Sequence, residues 1–273
     1  PPNREHKKSV AVMGGAPAGI QATLTLCERD HNVTLYEKTG ELGGNLLGAA
    51  APAFKTDMKT YLDYLIRQVK RSPAAISYNT EATKELLDEA NYDSIVIAVG
   101  ADPVFPKVPG IDQSHVQWAS DADRGLVETG NKIVVIGAGA IGVETAIGLS
   151  ASGKDVEIIE MAGDLNHLMM NSSNTMEDLM DMIQKQQIPI HLNTRLKEIK
   201  SDRIICDHRQ TGDETEYFSD TVLLAVGMKP RWDLVDQLRN SAPETEVFVI
   251  GDAVEVATLF EAVNSGFKAA AAI

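Results

Sequence analysis

Two glycine loops hold the residues best suited to chemistry. The first reads Gly14-Gly-Ala-Pro-Ala-Gly19 and the second Gly137-Ala-Gly-Ala-Ile-Gly142. Each is followed by a glutamate, Glu37 or Glu160, at the same interval of 23 residues (37 − 14 and 160 − 137). This pattern suits the pyrophosphate of a dinucleotide. Two negative charges need donors without bulk, and a loop that enters a helix offers free backbone N–H groups and the positive end of the helix dipole. Glycines permit the tight turn, the close approach of backbone to phosphate and the close seating of helix on strand. The later carboxylate accepts hydrogen bonds from the ribose hydroxyls of the adenosine. One such loop is weak evidence, because glycine-rich turns are common; two in the same context are much stronger.

That context is a strand before each loop, a helix after it, and a second strand ending on the acid. The apolar runs Val10–Met13 and Ile133–Ile136 are rich in β-branched residues and read as buried strands. Helices are predicted over about 17–30 and 140–152, then strands over Val33–Glu37 and Val156–Glu160. Strand, helix and parallel strand make a right-handed βαβ unit. Two copies predict an α/β fold with two Rossmann-like domains.

Between the repeats, Thr56 and Asp57 open a helix whose apolar face is Met58, Tyr61, Leu62, Leu65, Ile66 and Val69. Ser94–Gly100 reads as a buried strand closing on a glycine. Pro103, Pro106 and Pro109 suit an extended crossing between domains. After the second repeat, Met176, Leu179, Met180 and Ile183 mark an amphipathic helix, and methionines from Met169 to Met182 read as core. Strands are expected near 188–193, 196–206 and 215–226, and a last helix from near Val254.

Composition narrows the partners. The formal net charge of −14, from 39 acidic and 25 basic residues, argues against nucleic acid and anionic lipid. No run of about 18 apolar residues occurs, so no membrane span is expected. Cys27 and Cys206 are far apart and form no C-x-x-C dithiol, which fits a reducing, cytoplasmic setting. The six histidines (His6, His31, His115, His167, His191 and His208) show no metal-ligand spacing, and no G-x-S-x-G or Ser-His-Asp signature supports a hydrolase. The chain lacks an initiator methionine and stops inside an alanine-rich helical pattern, Ala269–Ile273, as a fragment of a longer protein would.

Two residues refine the binding chemistry. Glu160 repels the 2′-phosphate of NADP, and Met161, Ala162 and Gly163 after it bring no positive charge, so NADH is favoured over NADPH. Ala16 stands where the first loop is expected to have its second glycine. A left-handed backbone there would cost an alanine about 1–2 kcal/mol. Either the loop takes the methyl with a small shift, or this site binds its ligand weakly or has changed ligand. Pro17 is well placed in the first helical turn, where its missing N–H is not needed.

Further segments carry a family resemblance. Glu37 opens E-K-T-G-E-L-G-G-N-L, Ile97-Ala-Val-Gly100 and Leu224-Ala-Val-Gly227 are two glycine-ended strands, and Val247-Phe-Val-Ile-Gly-Asp252 follows near the C-terminus. Together they resemble the two-dinucleotide flavoprotein superfamily over nearly the whole chain. The resemblance implies two Rossmann-like, three-layer ββα domains. An NAD domain at 107–223 is inserted in an FAD domain made of 1–106 and 224–273. The stretch Tyr36–Leu65, with E-L-G-G-N-L, Ala51-Pro52 and Tyr61-Leu-Asp-Tyr-Leu, is similar to the C-terminal half of the 2,4-dienoyl-CoA reductase and 2-enoate reductase family. In that family an Old Yellow Enzyme-like barrel with FMN and a 4Fe–4S cluster precedes this module and passes electrons to an activated C=C bond. Neither barrel nor cluster cysteines occur here, so FMN and the cluster are expected only in an upstream part. Departures from the family at Ala16 and Asn45, where glutamine is usual, fall in the FAD site.

For FAD the resemblance implies Gly14, Ala16, Pro17, Gly19, Glu37, Lys38, Gly43, Gly44, Asn45, Gly100, Gly251 and Asp252. For NAD(H) it implies Gly137, Gly139, Ala140, Ile141, Gly142, Glu144, Glu160 and Gly227. Asp252 either binds the ribityl chain or caps the helix expected near Val254. Glu144 either lies at the nicotinamide end or is a solvated helix residue, and Lys38 reads as a surface lysine beside the adenine. Hydride transfer between stacked rings needs positioning more than acid–base help, so no catalytic residue is expected. Three readings compete: an NADH-to-FAD electron-entry module of an ene-reductase, a stand-alone ferredoxin reductase-like enzyme, and a structural ADP-binding module.

Overall fold

The strands at the centre of this molecule are short and almost wholly apolar, because helices or a second sheet cover them on both faces. The computed structural model describes residues 7–89, 91–165 and 173–273; the expectations for His6, His167 and Met169 lie outside these. In chain order come β1 (Ser9–Met13), α1 (Pro17–Glu28), β2 (Asn32–Tyr36), α2 (Leu46–Ala49), α3 (Thr56–Arg71), β3 (Ala75–Ser77), α4 (Lys84–Glu89), β4 (Ser94–Ile97) and β5 (Ala101–Pro103). Then follow β6 (Val116–Trp118), α5 (Ala119–Asp123), β7 (Lys132–Ile136), α6 (Ala140–Ala151), β8 (Asp155–Ile159), α7 (Ser173–Lys185), β9 (Ile190–His191), β10 (Thr194–Ile199), β11 (Arg203–His208), β12 (Glu214–Phe218) and β13 (Thr221–Leu224). The chain ends with β14 (Met228–Pro230), α8 (Trp232–Ser241), β15 (Glu246–Val249), a 3-10 turn Gly251–Ala253 and α9 (Leu259–Ala272).

The chain divides into two compact units. The first is Pro1–Ala50, Thr56–Asp102 and Met228–Ile273; the second is Ala51–Lys55 and Pro103–Gly227. The first is built on a parallel sheet of order β15-β4-β1-β2-β3. On one face α1 and α9 pack with α3, burying Ile20, Leu26, Leu65, Val69 and Ala270 against Val10, Val12 and Val96. On the other, α4 and α8 cover Ala11, Met13, Ile95 and Ile97 with Leu87, Val235 and Leu238. Each buried Val, Leu, Ile or Met side chain among these contributes about 1.5–3 kcal/mol of transfer free energy, which helps so short a strand as β4 to hold inside the sheet. In α3 the buried Leu62, Leu65 and Val69 lie on the face read from the sequence, with Asp57 in the first turn and Lys70 and Arg71 in the last, favourable to the helix dipole.

The second unit repeats the plan with a parallel sheet of order β6-β13-β7-β8-β9. Here α5, α6 and α7 cover one face, with Leu179 and Ile183 buried and Met180 partly so. An antiparallel sheet of order β10-β11-β12 covers the other, packing Leu196, Ile199, Ile204 and Cys206 on Val134, Ile136, Val222 and Leu224. This is the three-layer ββα arrangement expected of both units; in the first, α4 and α8 cover the face where a second sheet was expected.

Several boundaries differ from those read in the sequence. The strand expected over 196–206 is a hairpin, because the polar Lys200-Ser-Asp202 turns the chain between β10 and β11. The strand expected over 215–226 is two, β12 and β13, in different sheets, separated at Ser219-Asp220. The final helix begins at Leu259, with Thr258 as its N-cap, rather than near Val254. Among the described residues no helix is long and apolar enough to cross a membrane.

Candidate functional site

The two glycine loops adopt matching geometries. Gly14 (φ +116°) and Gly137 (φ +105°) leave their strands in a conformation that only glycine takes easily. Each donates its N–H to the last residue of the neighbouring strand, Tyr36 O at 2.9 Å and Ile159 O at 2.8 Å. The third glycine of each loop seats the helix. A Cβ on Gly19 would lie 1.9 Å from Gly14 O, and one on Gly142 would lie 2.0 Å from Gly137 O. Both contacts are with backbone, which cannot move aside.

The helix N-termini are open. Ala16 caps α1 and Gly139 caps α6, and neither contributes a side-chain cap hydrogen bond. Pro17, Ala140 and Ile141 occupy the first turns. A Cβ built on Gly139 meets nothing nearer than Ala225 O at 4.0 Å, which leaves clear space over that loop. At Ala16 the structure corrects the expectation of strain: its backbone is extended (φ −84°, ψ 174°), a region open to any residue. Its methyl faces Gly44, where a Cβ would come within 2.7 Å, so a glycine at 44 makes room for the alanine at 16.

The two glutamates are anchored alike. Glu37 is buried; its Oε2 accepts the Gly15 N–H at 2.9 Å, and its Oε1 accepts the N–H and Oγ1–H of Thr39, both at 2.8 Å. Glu160 Oε2 accepts the Ala138 N–H at 2.7 Å, and its Oε1 the Ala162 N–H at 2.6 Å. Of the roughly four hydrogen bonds a carboxylate accepts, three are in use at Glu37 and two at Glu160. Glu160 therefore keeps capacity for a diol, and Glu37 for one further donor. These geometries fit a dinucleotide at each loop: open amides where the pyrophosphate would lie and an oriented acceptor where the ribose would.

The remaining residues of the first loop's neighbourhood lie in the same unit. Gly43 (φ +124°) donates to Gly15 O at 2.8 Å, which ties the L-G-G-N segment to the loop. Asn45 Nδ2 donates to Ala101 O at 3.2 Å, next to Gly100 (φ +71°). Gly251 (φ +61°) approaches Ala18, where a Cβ would be 2.8 Å from the alanine methyl, and Asp252 lies in the 3-10 turn beside it. Asp252 caps no helix near Val254; its Oδ1 accepts the Ala257 N–H at 3.4 Å, and burial raises its carboxyl above the usual range. Lys38 is exposed. In the second unit Gly227 (φ +105°) has open space around it, and its carbonyl accepts the Val104 N–H at 3.0 Å.

Glu144 is buried, so it is no solvated helix residue. Its Oε1 pairs with Lys55 Nζ at 2.6 Å. Burial raises the Glu144 carboxyl, and Lys55 opposes that rise. The next residue, Thr145, donates its Oγ1–H to Asp123 Oδ2 at 2.6 Å. Burial, with Glu144 adding to it, pushes Asp123 up to about 6 despite that hydrogen bond. Lys55, Asp123 and Thr39 were missed in the sequence. Each is brought in by the tertiary fold or by a local turn, with no motif to mark it; only the position of Thr39, two residues past Glu37, offered a hint.

Residues 8–266 match the family model for pyridine nucleotide-disulphide oxidoreductases. An NADH oxidase of Thermoanaerobacter brockii is 32% identical over 270 residues, covering 97% of this chain and 41% of that protein. A cinnamate reductase of Clostridium sporogenes is 29% identical, covering 97% of this chain and 39% of that protein. The solved structure of a 2-naphthoyl-CoA reductase with 2-naphthoyl-CoA superposes with a TM-score of 0.90 at 28% identity, covering 98% of this chain and 40% of that one. The chain thus spans about two fifths of the length of these relatives.

Proposed function

This chain belongs to the pyridine nucleotide-disulphide oxidoreductase family, and from that premise we propose that it is an electron-entry module, taking hydride from NADH onto FAD. Its cofactors are FAD and NAD(H). FAD is assigned to the first loop and the unit that holds it, and NAD(H) to the second loop and its own unit, whose bounds lie at Pro103 and Gly227 rather than at 107 and 223. The observation that carries the reading is the paired geometry: two open helix N-termini, each with a glutamate locked to its own loop by a backbone N–H at 2.9 or 2.7 Å.

When bound, the nicotinamide supplies a hydride at C4 and the flavin accepts it at N5. The chain's own residues position and bind. Glu37 and Glu160 orient the adenosine halves, while the α1 and α6 N-termini hold the pyrophosphates. Glu144, paired with Lys55, lies at the nicotinamide end, and Asp252 takes the ribityl chain. The extended backbone at Ala16 favours this reading over a structural ADP-binding module, since the alanine imposes no strain on the loop.

The names and lengths of the relatives support the rest of the proposal. The module feeds a partner domain, an FMN barrel with a 4Fe–4S cluster, which reduces an activated C=C bond. Free thiols at Cys27 and Cys206 support a reducing, cytoplasmic setting. The test is the visible spectrum of the purified chain before and after anaerobic NADH. Flavin bands near about 370 and 450 nm that bleach with NADH are expected. A colourless protein that takes up no added FAD would overturn the proposal.

A further inference from the structure

The tip of β8 is not as free of positive charge as the sequence around it. Arg209, nearly fifty residues beyond Glu160 in the chain, places its Nη1 3.2 Å from the carbonyl of Met161, the residue directly after that glutamate. The backbone here is held in place, while the Arg209 side chain itself is exposed. Arg209 N donates to Asn193 O at 2.7 Å, and Asn193 N donates to Ala162 O at 2.8 Å. Gln210 Nε2 reaches Asn193 Oδ1 at 3.4 Å, and a Cβ on Gly163 would stand 3.0 Å from that same oxygen. The turn after β11 is thus stitched to the strand tip that ends in the ribose acid.

Neighbouring cations of the antiparallel sheet are neutralised. Arg195 pairs with Asp207, Lys197 with Glu214, and Arg203 with both Asp202 and Glu216. Arg209 instead bonds a neutral carbonyl, and among the described residues no carboxylate pairs with it. That bond uses one of five guanidinium donors, and the rest of the fork is the geometry that suits a phosphate. Glu160, held by the Ala138 and Ala162 N–H groups, cannot swing away. Alone it would reject a phosphate on the 2′ oxygen. In dinucleotide sites a nearby arginine accommodates a 2′-phosphate, and Arg209 bonds the residue directly after the ribose acid.

We propose that Arg209 is a specificity-determining residue of the second dinucleotide site: it admits a 2′-phosphate beside Glu160, so the site takes NADP(H) as well as NAD(H), with NAD(H) still preferred. The proposal rests on the reading of that loop as a nicotinamide dinucleotide site. Calorimetric titration of the whole chain with ADP-ribose and with 2′-phospho-ADP-ribose tests both separately. The native chain is expected to bind the phosphorylated ligand within about tenfold of ADP-ribose. Arg209→Gln should leave ADP-ribose within about twofold and weaken the phosphorylated ligand about tenfold or more, the loss of roughly one charge-assisted hydrogen bond. Arg209→Lys, which keeps the charge without the fork, should recover part of that loss. Equal weakening of both ligands by Arg209→Gln would make Arg209 a tie for the turn and nothing more. No effect on either, or rejection of the 2′-phosphate by the native chain, would also overturn it. Failure of ADP-ribose itself to bind would remove the dinucleotide reading of the loop along with it.

Discussion

Asp123 was not marked by any motif, yet its environment gives it a measurable signature. Its carboxyl sits beside Glu144 and under Thr145, and burial is the largest cause of its rise from 3.8 to about 6. A carboxyl raised in the folded state holds its proton more tightly there than in the unfolded chain. Stability from this residue therefore falls as pH rises from about 4 to about 6 and stays low above. Asp123→Asn keeps an acceptor for Thr145 and removes the titration. We expect its urea-unfolding free energy to gain about 1 kcal/mol or more on the native chain between pH 4 and pH 7. A parallel pair of pH profiles would refute the assignment. Lys55 belongs to the same group: its ammonium pairs with Glu144 and opposes the rise that burial imposes on that carboxyl.

At the scale of elements, the sequence was most legible where backbone geometry itself demands a residue type. Gly14, Gly19, Gly137 and Gly142 could be read directly because close backbone contacts leave no room for a Cβ at them. The apolar period of α3 was equally plain. The β10–β11 hairpin and the β12–β13 break were not, because apolar residues such as Ile204 and Val222 continue the strand pattern on both sides of short polar turns. Ala16 misled for a different reason: its tolerance depends on Gly44, a contact between two loops that spacing does not reveal. From this come two opposed outcomes. Gly19→Ala places a methyl 1.9 Å from Gly14 O and should cost about 1–3 kcal/mol and most of the bound flavin. Ala16→Gly relieves no strain, so flavin occupancy should stay within about twofold. Absorbance at the flavin band, normalised to protein, distinguishes them, and a rise in occupancy for Ala16→Gly would show that the methyl does obstruct the ligand.

For the whole molecule, each unit buries its own core and each holds one free cysteine. Cys206 is fully buried in the second unit, where burial pushes its thiol up to about 12; Cys27 is half-buried in the first, where burial also raises it. A thiol reagent therefore reports opening of the second unit at Cys206, while the partly exposed Cys27 can react without opening of the first. ADP-ribose at about 100 times its dissociation constant should slow labelling of Cys206 about a hundredfold and leave Cys27 unchanged, whereas FAD should leave Cys206 unchanged. Equal protection of both thiols by either ligand would contradict the assignment of one cofactor to each unit. The strand order β15-β4-β1-β2-β3 also sets a timetable for biosynthesis. Ser94 of β4 accommodates Glu246 of β15, its partner strand, only after 152 further residues have been made. At translation speeds of about 5–20 residues per second this is roughly 8–30 s during which an apolar strand edge has no neighbour on the ribosome. The unit begun first is thus the last to be completed, its β4 edge unpaired while the second unit is being synthesised.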